Sequence, residues 1–329
     1  MSNMTNPLAT PTQLFRRTNF SALPPDLQDS IFFASAALTQ SAGLLLRLPQ
    51  SVTAQANIIL ARYWLIEPPL SQPSPKPFEP ADVSAAALFL VAKLSAHPAP
   101  PRDLCNVYAY LQSPSSPFLR AGSSSAAEDL KPDPQSYYLS ETAYALAHAR
   151  ILHIESRVAY ALSFDTRAAL PHPLAVTYLQ ALDFLDARVP RRALAQRTLA
   201  HLNAALLSPQ LLCLTHQPNA LAVAAIYNAA RDVGARAPPC AWWEVFDVDR
   251  EELGFLVVGM RSVEGWARKQ REAFAELGKG MITVAHVEEE MRRRGLRFEG
   301  GGHGNGEVQL SEEEVMMRSM DEKAEMMEQ

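Results

Sequence analysis

The sequence predicts an all-α protein made of two tandem five-helix units, and three observations carry that expectation. The run AAALFLVAKL from Ala85 holds helix formers for three turns, ends in one charge at Lys93, and is broken by Pro98, Pro100 and Pro101, which lack a backbone donor. The same plan returns in LAVAAIYNAARDVGARAPPCAWWEVF from Leu221. There Ala237-Pro238-Pro239 repeats Ala99-Pro100-Pro101 and Arg231 repeats Lys93, at a shift of 138 with no gap between Ser84 and Tyr108. An apolar helix, a proline break and a short aromatic helix thus occur twice, the mark of a duplicated unit. Elsewhere apolar residues recur at intervals of three and four, as amphipathic helices require.

Taken in order, residues 1–25 are polar, with Pro and Ser, and are expected to be extended. Residues 27–46 carry the helical period up to Arg47-Leu48-Pro49, and SVTAQANIILARYWLI follows with Ser51 as its expected N-cap. A proline-rich connector spans Glu67 to Pro80, ahead of the opening helix, and a short helix is expected from Arg102 to Gln112. Residues 113–139 form a low-complexity loop. ETAYALAHARILHIESRVAYALSF then predicts a helix from Glu141 to Phe164 capped by Ser140, with Ala145, Leu146, Ala149, Leu152, Val158 and Leu162 on one apolar face. The second unit is expected to place helices near 174–183, 191–207 and 219–232, a Trp-bearing short helix near Ala241, and a last helix over 249–274. A charged helical segment up to Arg297, the glycine-rich GGGHGNG and an acidic, Met-rich end complete the chain. The expected divisions are 1–25, 26–167, 168–275 and a tail over 276–329.

With 48% hydrophobic and 20% charged residues, the 329-residue chain can bury a sizeable core. A net charge of −5 opposes a broad nucleic-acid surface, which needs clustered Lys and Arg. Cys105, Cys213 and Cys240 are odd in number and far apart, so no disulfide framework is expected and a reducing compartment is. The opening MSNMTNPLATPTQLFRR lacks a signal-peptide pattern and no run suits a bilayer span, so a soluble intracellular protein is expected.

Catalytic spacings are missing. The segment Gly300–Gly306 satisfies neither GxGxxG nor GxxxxGK[ST], and it reads as a hinge. Cys213 and His216 stand at C-x2-H spacing without a second pair to complete four ligands, and Trp242-Trp243 reads as core. No metal, cofactor or catalytic residue is therefore predicted. Lys93 and Glu155 remain, and by composition alone each is a solvent-facing charge; a charge edging an apolar stripe can instead cap the backbone of a partner helix.

SAGLLLRLPQSVTAQANIILARYW from Ser41, VAKLSAHPAPPRDLCNVYAYL, RILHIESRVAYALSFD from Arg150, LPHPLAVTYLQAL from Leu170 and NALAVAAIYNAARDV from Asn219 stand in the order seen in cyclins. Over residues 25–275 the chain resembles a cyclin, and most the cyclin L group of transcription-associated cyclins. The resemblance implies the cyclin fold and a regulatory subunit, without catalysis of its own, that binds a cyclin-dependent Ser/Thr kinase in the nucleus, with no direct nucleic-acid or membrane partner. It carries kinase contacts onto Lys93 and Glu155, with Leu94, Ala159 and Phe164 as apolar contacts. Two departures stand out: Leu94-Ser95-Ala96 replaces the acidic residues that follow this lysine in many cyclins, and the first helix lacks the Arg- and Trp-containing signature of cell-cycle cyclins. A TFIIB-type general transcription factor shares the fold but begins with a Cys/His zinc ribbon and is basic; a helical scaffold is the other alternative. Ser74-Pro75, Ser113-Pro114 and Ser116-Pro117 are candidate proline-directed phosphorylation sites.

Overall fold

A computed structural model describes residues 5–19, 21, 23–70, 77–113, 116, 138–183, 191–273 and 281–296. Most of the 113–139 loop, Ser74, the Gly300–Gly306 segment and the acidic end lie outside these residues. Among them the regular structure is helical: α1 (Pro11–Asn19), α2 (Pro25–Leu45), α3 (Gln50–Ile66), α4 (Pro80–Leu94), α5 (Pro101–Gln112), α6 (Glu141–Ala161), α7 (Pro171–Ala181), α8 (Arg191–Ala205), the one-turn α9 (Leu212–Thr215), α10 (Pro218–Val233), a 3-10 turn (Trp242–Phe246), α11 (Arg250–Ala273) and α12 (Val284–Arg293).

Proline opens helices here as well as ending them. Pro25, Pro80, Pro101, Pro171 and Pro218 each occupy the first helical turn, where the missing N–H has no intrahelical partner to lose and the fixed φ suits the helix. This moves α4 forward to Pro80, so the duplicated helices begin at Pro80 and Pro218 and keep the shift of 138 seen in sequence. It also corrects the expected cap of α3, because Pro49 stands at the N-cap and Ser51 lies inside the helix. Ser140 does cap α6, accepting from the Ala143 N–H at 3.3 Å.

The two duplicated helices are the hubs. α4 packs against α2, α3, α5 and α6, and α10 against α7, α8, α9, α11 and the 3-10 turn. Ala85 through Ala92 are all buried, as are Ala220 through Ile226, which is why these helices are apolar all round rather than striped. Close approach of α2 to α3 depends on Gly43, where a Cβ would run into the Thr53 side chain. A polar chain runs through the first core: the Ser84 hydroxyl lies 2.7 Å from both the Thr39 and the Tyr108 hydroxyls, the Thr39 hydroxyl donates on to the Ser35 carbonyl at 2.9 Å, and burial pushes the Tyr108 phenol up.

The repeats are joined by polar clasps. Asn203 on α8 receives Gln50 at 2.9 Å and Gln40 at 3.2 Å and meets His172 at 3.0 Å, while Gln55 and Arg62 fasten the end of the first repeat by donating to the Thr166 and Arg167 carbonyls, each at 2.8 Å. The N-terminal segment adds another. Asn6 and Gln217 exchange two hydrogen bonds of 3.0 Å, and Asn6 exchanges two more with the Ala169 backbone, at 2.8 and 2.7 Å. The first 25 residues, expected to be extended, therefore hold a docked strap followed by α1. In the tail, α12 returns to the first repeat, where the Val284 N–H donates to Glu79 at 3.0 Å, Arg294 pairs with Asp26 at 2.9 Å, and Val287 and Met291 are buried.

Candidate functional site

α4 is buried until its last turn, where Lys93 and Leu94 emerge, the leucine 61% exposed. Lys93 reaches across to α6 and forms an ion pair with Glu155, whose side chain is 7% exposed against 49% for the lysine. A buried carboxylate needs a charged partner, and here the partner is the half-exposed one. The Lys93 ammonium also stands 5.4 Å from the centre of the Phe89 ring, a cation–π distance. Replacing the lysine alone would leave Glu155 buried without its counter-charge, so the pair belongs to the fold as well as to the surface. An ammonium has three donors, and a lysine held at a helix end can offer the remainder to carbonyls of another chain.

α6 ends in a strained turn. Ser163 (φ 50°) and Phe164 (φ 60°) are consecutive non-glycine residues in the left-handed region, each at a cost of about 1–2 kcal/mol. The turn is fastened by Ser163 N–H to the Tyr160 carbonyl at 2.9 Å and Phe164 N–H to the Ala159 carbonyl at 2.8 Å. It holds the Phe164 ring 72% exposed. The structure thus brings Lys93 and Glu155 into contact, leaves Leu94 and Phe164 open to solvent, and buries Ala159 one turn after Glu155.

One expectation is overturned on the same helix. Ala145, Leu146, Ala149 and Leu152, expected on the core face with Val158 and Leu162, point to solvent, whereas Val158 and Leu162 are buried. The core face is instead Ile151, Ile154, Glu155 and Val158. The exposed charges Glu141, Arg150 and Arg157 leave Ala145, Leu146, Ala149 and Leu152 uninterrupted, so periodicity alone does not separate these outer positions from the core face.

The counterpart in the second repeat is built differently. Arg231 is exposed and makes no ion pair among the described residues, and Asp232 beside it takes His201 at 2.8 Å and Arg261 at 2.5 Å. Partial burial pushes the Asp232 carboxyl up, but the bonds and charges of His201 and Arg261 outweigh it and hold the group below the usual range. Cys213, half of the C-x2-H spacing, is a buried thiol pushed up to about 12 by desolvation, which opposes the thiolate a metal needs. No cluster of three or more His, Cys, Asp or Glu suited to a metal occurs among the described residues, and no described helix is long and apolar enough to cross a membrane.

Comparison with known proteins follows the same lines. Over 220 residues the chain is 33% identical to a cyclin-L1-like protein of Schizosaccharomyces pombe, the match covering 66% of this chain and 76% of that protein. The chain belongs to the cyclin L family. It is 28% identical to chicken cyclin-L1 over 243 residues and 26% identical to human cyclin-L2 over 275, covering 74% and 83% of itself. It spans only 40% and 45% of those two cyclins. No family model matches the chain. Among solved structures, a chain of the yeast RNA polymerase II CTD kinase CTDK-1 complex superposes with a TM-score of 0.60 at 14% identity, covering 92% of this chain and 87% of that one. A chain of the Chaetomium thermophilum CAK complex gives 0.54 at 14% identity over 91% and 95%. At that identity the superpositions speak for the cyclin fold.

Proposed function

We propose that this cyclin is the regulatory subunit of a cyclin-dependent Ser/Thr kinase acting in RNA polymerase II transcription or RNA processing, and hence in the nucleus. In this reading residues 26–167 and 168–275 are its two cyclin boxes, it performs no catalysis itself, and Lys93, Leu94, Glu155, Ala159 and Phe164 receive the kinase. The observation that carries the reading is the Lys93–Glu155 pair standing at the open end of an otherwise buried helix, flanked by exposed Leu94 and Phe164.

The pair presents donor and acceptor groups side by side, suited to the free carbonyls and N–H groups at a helix terminus. A kinase C-helix seated there is held inward, which lets the kinase's own Lys–Glu pair form. The cyclin acts by binding the active state more tightly than the inactive one, and taking that equilibrium from 1:99 to 99:1 requires about 5.5 kcal/mol of differential affinity. Affinity purification of the tagged chain from its native cells, with kinase assay of the eluate, tests the proposal. An active cyclin-dependent kinase that is lost with Lys93→Ala/Glu155→Ala is the expected result. A kinase-free eluate from the unaltered chain rejects it in favour of a scaffold or transcription-factor role.

A further inference from the structure

The solvent side of α6 is unusually poor in charge. Among its exposed positions between Thr142 and Tyr160 Arg150 and Arg157 are the only Lys, Arg, Asp or Glu, and both lie along one edge. Leu146, Ala149, His153, Ser156 and Tyr160 are all exposed and follow one another at intervals of three, four, three and four, the spacing of a helix-packing seam. Leu146 is 66% and Tyr160 77% exposed. At 1.5 Å per residue the seam is about 21 Å long. Among the described residues, Phe78 stands edge-on to His153 of the seam at 5.6 Å.

This seam is not the Lys93 contact. At 3.6 residues per turn its centre lies about 140° around α6 from Glu155, so a helix crossing at Lys93 cannot also lie along it. The arc between the two is filled by Ala145 and Leu152, both exposed, so the uncharged surface runs without a break from the candidate kinase contact to the seam. On the far edge Arg150 and Arg157 are anchored to Asp82 at 3.3 Å and Glu67 at 3.1 Å. The arginines are the exposed member of each pair, and a guanidinium has N–H groups beyond those that hold one carboxylate.

We propose that this seam receives a second helix of the same kinase chain, from outside its C-helix, amphipathic at three-and-four spacing and carrying carboxylates on the edge that meets Arg150 and Arg157. Continuity with the Lys93 contact favours the kinase as its source, and the arginine edge sets its charge. The inference rests on the kinase-subunit reading and extends it from one contact to two.

The test uses the full chain in complex with the kinase that copurifies with it, with photoreactive benzoylphenylalanine placed at Leu146 in one sample and at Leu94 in another. Crosslinks from position 94 to the C-helix region, together with crosslinks from position 146 to a different kinase segment, are expected. Crosslinking at 94 alone, or crosslinks from 146 only to a second cyclin copy or another protein, overturns the second contact and leaves the kinase-subunit reading standing. Failure of both positions to reach the kinase overturns both. In parallel, Leu146→Glu/Tyr160→Glu is expected to raise the Kd for that kinase at least tenfold with an unchanged melting temperature, because both side chains are exposed; an unchanged Kd overturns the proposal.

Discussion

In the first repeat the hub helix α4 meets α6 through Lys93 and Glu155; in the second, α10 meets α11 through Asp232 and Arg261, with the signs exchanged. The surroundings differ as well. Leu94 and Phe164 stand exposed beside the first pair, while α10 closes on Gly234 (φ 71°) and Arg231 stands in solvent. α11 sets Arg250, Glu251, Arg261, Glu264, Arg268 and Lys269 among its exposed positions, against Glu141, Arg150 and Arg157 on α6. Both copies therefore keep the hub and an ion pair from its last turn to a neighbouring helix, built from different positions: Asp232 aligns with Leu94, and Arg231, which aligns with Lys93, stands apart from the second pair. The hub is a folding requirement; the exposed end of α4 with Leu94 and Phe164 beside it is what sets apart the copy proposed to bind.

Exchanging the repeats as targets gives the largest expected contrast. Lys93→Ala/Glu155→Ala should weaken kinase association at least tenfold, about 1.4 kcal/mol, while Asp232→Ala/Arg261→Ala leaves it unchanged; quantitative pull-down of the kinase reads both. Equal losses would erase the distinction between the repeats. Next come the glycines. Gly43→Ala drives a methyl into Thr53 and should cost about 1–3 kcal/mol, whereas Gly254→Ala on α11 meets nothing within 4 Å and should gain up to about 1 kcal/mol, both measured by urea unfolding. Removing the cap of α6 with Ser140→Ala should cost about 1 kcal/mol in the same assay.

The smallest effect is a difference of sign with pH. Desolvation raises the Asp82 pKa against the opposing pull of Arg150, so the folded first repeat binds its proton more tightly than the unfolded chain. Its contribution to stability falls as pH rises from 3.8 through the raised value, and Asp82→Asn should remove that decline. Asp232, held low, contributes stability above pH 3.8 that disappears as pH falls through its lowered value, and Asp232→Asn should remove that loss. Unfolding curves between pH 3 and 7 compare the two slopes; slopes of one sign would show that the carboxylates do not differ in this way.

Much of this was legible in the residues. The hub helices, their proline breaks and the shift between Lys93 and Arg231 follow from composition and repetition alone. The pairing of Lys93 with Glu155 does not, because 62 residues separate them and nothing local requires their contact. Helix starts were displaced wherever proline was read only as a breaker, as at Pro80 and Pro218. The outer face of α6 reads as core because alanine and leucine have the same periodicity whether they are buried or exposed. The strap at Asn6 and the docking of α12 are not legible for a related reason: each depends on a few polar groups, Gln217, Ala169, Glu79 and Asp26, brought from distant parts of the chain.

The strap also sets an order of events in synthesis. Asn6 and Gln217 are 211 residues apart, so at about 5–20 residues per second the amino terminus must wait roughly 10–40 s after leaving the ribosome before its partner exists. The five helices of the first repeat can assemble during that interval with their clasps to the second repeat still unmade. Closure is then a late, long-range step, and a nascent chain stalled before residue 217 would present a formed first repeat with its amino-terminal strap untethered from Gln217.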